Sequence, residues 1–101
     1  MRIGLSEETI QAINNVFKQY PKIKKVILYG SRAKGTHKPS SDIDLVIMTD
    51  NMEFEEYLQL QVQLDELMLP YAIDLSIFKD IEHEDLIDHI QRAGVIFYEQ
   101  T

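Results

Sequence analysis

The chain contains no cysteine and no tryptophan, and it has no apolar run near the ~20 residues that a membrane-spanning helix needs. Without cysteine, disulfides and thiolate metal sites are excluded. The lack of a long apolar run, and of a secretory or transit pattern at Met1, predicts a cytoplasmic protein with no membrane partner. At 101 residues, 45% of them hydrophobic, we expect one domain with a single core over residues 1–101.

Acidic residues are missing from one long stretch of the sequence. No Asp or Glu lies between Glu8 and Asp42, although seven of the ten Lys and Arg residues do. The net charge is nevertheless −7, which predicts no strong direct binding to nucleic acid, because phosphate neutralisation dominates that affinity. The basic stretch is either a solvated face or a local positive zone that receives a triphosphate.

Two carboxylates stand at the start of an apolar run. Asp42-Ile43-Asp44 leads into Leu45–Met48, which reads as a strand. Successive side chains of a strand point to opposite faces, so Asp42 and Asp44 point the same way. Like charges at that distance repel each other and require a cation, and hard oxygen ligands of this kind suit Mg2+.

The segment ten residues earlier has the features of a phosphate site. Another apolar run ends at Gly30-Ser31, where glycine allows a tight turn and a close approach of a ligand to the main chain. Backbone N–H groups of such a turn suit phosphate oxygens. Ser31 adds a hydroxyl, Arg32 and Lys34 add positive charge, and a short helix that starts near Ser31 would favour an anion.

Apolar periodicity and breakers predict the remaining elements. A first helix is capped by Ser6 and stopped by Pro21, and a last helix is capped by Asp80 and ended by Gly94. Residues 53–68 are predicted to be a helix with a broad apolar sector, although Leu58–Leu64 alternates with the period of a strand. The predicted strands are residues 24–29, 42–48, 71–78 and 95–98.

Histidines are not expected to form a metal site. His37 lies in the polar loop between Thr36 and Ser41, where an exposed position is the simpler interpretation and a metal or catalytic role the alternative. His83 and His89 both lie in the last predicted helix. They are six residues apart, which is the wrong spacing for one helical face.

Gly30-Ser31, ten residues, then Asp42-x-Asp44 resembles the signature of the DNA polymerase β-like nucleotidyltransferase superfamily. Gly-Ser-Arg-Ala-Lys-Gly followed by Ser-Asp-Ile-Asp-Leu is most similar to the minimal nucleotidyltransferases. The resemblance implies an α/β (α+β) fold, a small mixed sheet flanked by helices. It also implies a third carboxylate on a neighbouring strand, for which Asp74 is the candidate.

The resemblance further implies a reaction and roles for these residues. Asp42 and Asp44 would hold two Mg2+ ions, and Asp74 would complete the nucleophile-side site and help to deprotonate the acceptor. Gly30 and Ser31 would hold the β- and γ-phosphates, with Arg32 or Lys34 steadying the charge. AMP from ATP would pass to a hydroxyl with release of pyrophosphate.

Similar minimal nucleotidyltransferases work beside a separate all-helical (HEPN-like) protein, and some are antitoxins that adenylylate it. We therefore expect a helical partner, with self-association as another way to supply a missing acceptor platform. The broad apolar sector of residues 53–68 is the candidate surface. The alternative is a nucleotide-binding or neutralising module that acts by binding its helical partner without turnover.

Overall fold

The computed structural model describes residues 3–100, which form one four-stranded sheet with helices on both faces. Within that range no helix is both long and apolar enough to cross a membrane. In chain order the elements are α1 (Glu7–Phe17), β1 (Ile23–Tyr29), α2 (Ser31–Lys34), β2 (Ile43–Thr49), α3 (Phe54–Asp65), β3 (Ile73–Ile77), a 3-10 turn (Phe78–Asp80), α4 (Glu84–Ala93) and β4 (Val95–Glu99).

The sheet is mixed, as the resemblance implied. Its strand order is β3-β2-β1-β4, with β3 parallel to β2 and the other neighbours antiparallel. The main core lies between one face of the sheet and helices α1 and α3. A smaller cluster around Val46 and Ile90 joins the opposite face to α4. Strand β3 is therefore an edge strand, and the two faces of the sheet are covered by different helices.

Helix α3 confirms the helical interpretation over the period-two alternative. Glu53 caps it in a capping box with Glu56, and Leu60 and Leu64 are buried against the sheet. The helix ends at Asp65, three residues before the predicted end, and Met68 has a left-handed φ of 56°. A methionine in that conformation cannot continue a right-handed helix, so the chain turns there toward β3.

The predicted cap of the last helix is wrong. Asp80 ends the 3-10 turn, and α4 begins at Glu84 with His83 as its N-cap. The His83 Nδ1 atom accepts the Leu86 N–H at 3.3 Å. Sequence reasoning chose the aspartate because imidazole is an unusual cap, whereas Asp and Asn are strongly preferred. The predicted end at Gly94 is confirmed.

Strand boundaries differ from the predictions by one or two residues. Strand β2 begins at Ile43, so Asp42 lies immediately before it. Strand β3 covers Ile73–Ile77, a shorter segment than the predicted 71–78. The short helix predicted after Gly30 is present and is a single turn. Asp44 and Asp74 thus stand as the second residues of their strands, at the same end of the sheet.

Candidate functional site

Two of the three predicted carboxylates are direct neighbours in the sheet. Asp44 of β2 pairs with Asp74 of β3 in the parallel register, and on its other side Asp44 pairs with Tyr29 of β1. Residues opposite one another in a sheet project from the same face. Tyr29, Asp44 and Asp74 therefore form one row across three strands, on the face that α4 partly covers.

Asp44 is the carboxylate of this row whose ionised form is disfavoured by its surroundings. Burial raises the pKa of its carboxyl above the ordinary value, and repulsion from Asp74 and then from Asp42 raises it further. Asp42 and Asp74 are both exposed, whereas Asp44 is half-buried. The three carboxylates that the sequence singled out thus lie close enough to interact electrostatically.

The donor set suits a hard divalent cation. The ion pairs of residues 3–100 join Lys22 to Glu56 and Arg92 to Asp88, and neither involves these carboxylates. Over the same residues, no group of three His, Cys, Asp or Glu side chains is arranged closely enough to coordinate an ion as it stands. Mutual repulsion would be relieved by a cation, and oxygen ligands are those that Mg2+ prefers.

Gly30 makes room for this arrangement. Its φ of +79° is rarely adopted by residues with a side chain, and an added Cβ would overlap Asp44 Oδ2. The Gly30 turn leads directly into α2, which begins with the half-buried Ser31. The predicted phosphate turn and the predicted metal carboxylate are therefore in direct contact.

His89 is a residue of the candidate site that the sequence did not reveal. Its Nε2 atom accepts the Gly30 N–H at 3.2 Å, and its ring lies edge-on to Tyr29 with centroids 6.3 Å apart. Sequence spacing tested His89 only against His83 as a metal pair. Its contact with Gly30 spans 59 residues and two elements, so no local pattern could have revealed it.

Arg32 lies in the protein interior, which differs from its predicted place beside a triphosphate. Its side chain is 1% exposed and donates to the main-chain carbonyls of Ser41, at 2.8 and 3.2 Å, and of Ile3, at 2.9 Å. Its guanidinium also lies 4.8 Å from the ring centroid of Tyr71. Basic residues two apart on a single helical turn point in different directions, and Lys34 is the exposed one.

The buried guanidinium connects two parts of the candidate site. Arg32 directly follows Ser31, and its double hydrogen bond reaches Ser41, which directly precedes Asp42. One side chain therefore connects the predicted phosphate turn to the peptide that precedes Asp42. His37, in the same loop, is half-buried rather than exposed, and its ring packs against Gly4.

Sequence comparison places this fold in a known class, the nucleotidyltransferases. The family model described as "Polymerase beta, Nucleotidyltransferase" matches residues 11–101, and the chain belongs to this family. A "putative protein adenylyltransferase" of Methanocaldococcus jannaschii is 31% identical over 80 residues, covering 76% of this chain and 79% of the relative. The "probable protein adenylyltransferase MntA" of Haemophilus influenzae is 26% identical over 100 residues, covering 98% and 87%.

Solved structures show the same fold. A toxin–antitoxin complex with AMP-PNP contains a chain with a TM-score of 0.70 and 21% identity, covering 96% of this chain and 76% of the other. A complex of a tri-AMPylated HEPN toxin from Shewanella oneidensis with an MNT antitoxin contains a chain with a TM-score of 0.61 and 18% identity, covering 91% of this chain and 73% of the other. These likenesses confirm the nucleotidyltransferase architecture that the motif predicted.

Proposed function

We propose that this single-domain nucleotidyltransferase transfers AMP from ATP to a hydroxyl of a separate helical partner protein. The observation that carries the proposal is the row of Asp44 and Asp74 beside the Gly30 turn. The relatives named protein adenylyltransferases support the reaction class, and the solved complex of a HEPN toxin with an MNT antitoxin supports the kind of partner.

Substrate binding follows from the two halves of the site. Gly30 and Ser31 hold the β- and γ-phosphates, and the exposed Lys34 adds positive charge at the end of α2. Arg32 acts from the interior by fixing the position of Ser31 relative to Asp42. Asp42, Asp44 and Asp74 hold two Mg2+ ions, which supply charge neutralisation at the phosphates when bound.

The chain's own residues then position the reacting groups. The acceptor oxygen bonds to the α-phosphorus. The bond from the α-phosphorus to the oxygen that bridges the α- and β-phosphates breaks, and pyrophosphate leaves. Asp74, the exposed carboxylate at the sheet edge, accepts the hydroxyl proton. Little covalent chemistry falls to the protein, because positioning and charge stabilisation dominate phosphoryl-transfer catalysis.

The partner surface includes one side of α3. Phe54, Leu58 and Val62 recur every four residues along this helix and are 71%, 43% and 56% exposed. Residues four apart form one stripe of a helix, and a solvent-facing apolar stripe typically marks an interface. This observation also favours the second candidate function, a module that neutralises its partner by binding alone.

Labelled ATP distinguishes the two functions. The protein and its helical partner are incubated with Mg2+ and ATP labelled at either the α- or the γ-phosphate. If the protein is an enzyme, the α-label should appear on the partner. The Asp44→Asn variant should not transfer the label but should still bind the partner. Binding without any label transfer would favour the neutralising module, and transfer of the γ-label would refute the reaction class.

A further inference from the structure

A groove runs along the open edge of β3, beside the proposed catalytic carboxylate. Three cavities of about 420, 240 and 190 Å³ follow one another along this edge, and their walls are supplied by α3, β3 and the segments next to them. The largest contains Tyr57, Leu75 and Ser76, and the next contains Gln61 and Ile73. The groove therefore follows the strand that carries Asp74.

The main chain along this groove has groups that point away from the rest of the sheet. The Ile43 N–H donates to the Ala72 carbonyl at 2.9 Å, so the main-chain carbonyl of Ala72 points toward β2. Since main-chain groups alternate along a strand, those of Ile73, Leu75 and Ile77 point away from β2. The Leu75 carbonyl confirms this direction, because it accepts a hydrogen bond from the Tyr57 hydroxyl. An edge of this kind is a template for a further strand.

We propose that an extended segment of the acceptor protein adds to β3 as a fifth strand, with its hydroxyl-bearing residue opposite Asp74. This inference rests on the proposed function and specifies how the acceptor is presented. A residue opposite Asp74 projects from the same face as Asp74, with Cβ atoms about 4.5–5.5 Å apart. The acceptor would thus extend the row of Tyr29, Asp44 and Asp74 by one position.

The acidic side chains that line the groove, and its position next to the exposed stripe of α3, indicate what kind of segment would bind there. Exposed Asp80 and Asp65 line the first and second cavities, which favours a segment with lysine or arginine beside its hydroxyl residue. Phe54 belongs both to the first cavity and to the exposed stripe of α3. A partner that covers the stripe would therefore bring a neighbouring segment directly to the groove.

The test uses nine-residue peptides with a central tyrosine, flanked by either lysines or glutamates, as acceptors for α-labelled ATP. Ile73→Pro removes an outward N–H that an added strand needs, whereas an edge strand tolerates proline at such a position. Glu99→Pro, at the exposed last residue of the opposite edge strand, is the matched control. Nucleotide-analogue binding by each variant verifies that the fold and the nucleotide site are intact.

We expect the lysine-flanked peptides to be labelled preferentially, and labelling to fall at least tenfold with Ile73→Pro but not with Glu99→Pro. Tyr57→Phe should increase labelling at low peptide concentration, because the Leu75 carbonyl is then available to the peptide. In the wild type, the peptide should slow amide exchange at Ile73 and Leu75.

Failure of this inference can be distinguished from failure of the proposed function. The inference is overturned if Ile73→Pro leaves labelling unchanged, if exchange at β3 is unaffected, or if the partner protein is labelled and no peptide is. If neither the partner nor any peptide receives the α-label from the wild type, the proposed function itself is wrong.

Discussion

The backbone of Gly30 lies against the carboxylate of Asp44, so closely that a methyl group at position 30 would overlap Asp44 Oδ2. A glycine in the predicted phosphate turn is therefore favoured for two reasons, its positive φ and the space that it leaves for Asp44. The two halves of the sequence motif, Gly30-Ser31 and Asp42-x-Asp44, are therefore in direct contact in the fold.

Gly30→Ala should abolish transfer, and the chain offers a close control for it. Gly35 has nearly the same φ, +78°, but an added Cβ there would meet nothing within 4 Å. Gly35→Ala should therefore cost only the backbone strain, roughly 1–2 kcal/mol of unfolding free energy, with activity retained. Thermal melts and transfer rates of both variants measure the difference. Equal losses of activity would show that the overlap with Asp44 is unimportant.

Asp44→Asn should make the folded protein more stable at neutral pH while it removes activity. The pKa of Asp44 is raised by burial and by the neighbouring carboxylates, so its ionised form is disfavoured in the folded state. The folded state binds this proton more readily than the unfolded chain, and lowering the pH through the raised pKa stabilises the wild type. The difference in unfolding free energy between Asp44→Asn and the wild type should therefore be largest near pH 7 and become smaller at acidic pH.

Melting temperatures across this pH range check the prediction. A gain of ~1 kcal/mol corresponds to about 4–8 °C for a domain of this size. Asp50→Asn, an exposed aspartate outside the row, should change stability little at any pH. An Asp44→Asn variant that melts lower than the wild type at pH 7 would contradict the electrostatic account.

Substitution of Arg32 should reduce stability, whereas substitution of Lys34 should weaken nucleotide binding. Arg32→Lys loses the fork that donates to Ser41 and Ile3, and should cost about 2 kcal/mol of unfolding free energy. Lys34→Met should leave the melting temperature unchanged and raise the KM for the nucleotide roughly fivefold, the equivalent of ~1 kcal/mol. Denaturant titration and initial rates measure the two effects. A stable Arg32→Lys variant with raised KM would favour a direct phosphate contact instead.

His89→Leu should weaken nucleotide binding by loosening the phosphate turn. The substitution removes the acceptor of the Gly30 N–H, a hydrogen bond with a net contribution of about 1 kcal/mol. We expect a nucleotide dissociation constant raised roughly fivefold. Asp88→Ala, on an exposed position of the same helix, is the control. Titration with a non-hydrolysable ATP analogue is the measurement, and equal affinities of the two variants would exclude a role for His89.

Much of the candidate site was predictable because its signals are local. Gly30, Ser31, Asp42 and Asp44 lie in one stretch, and the apolar runs beside them define the strands. Asp74 was identified from the resemblance and is paired with Asp44 in the sheet. The period-two pattern of Leu58–Leu64 did not prevent the correct prediction of α3 as a helix.

The remaining features depend on contacts that no local pattern encodes. His89 reaches Gly30 from α4, and the buried position of Arg32 depends on carbonyls from both the N-terminal segment and the loop before β2. The prediction that Asp80 caps the last helix is wrong because Asp80 belongs to a 3-10 turn that precedes α4. In each case tertiary packing selects among side chains that look equivalent in the sequence.

The central claim is that Asp42, Asp44 and Asp74 hold divalent cations beside a phosphate-binding turn. Titration of Mn2+ as a paramagnetic substitute for Mg2+, with a non-hydrolysable ATP analogue present, tests it most directly. The account predicts two bound ions per chain in the wild type, one ion fewer with Asp74→Asn, and loss of both with Asp44→Asn. Unchanged ion binding in both variants, or no nucleotide-dependent binding in the wild type, would contradict it.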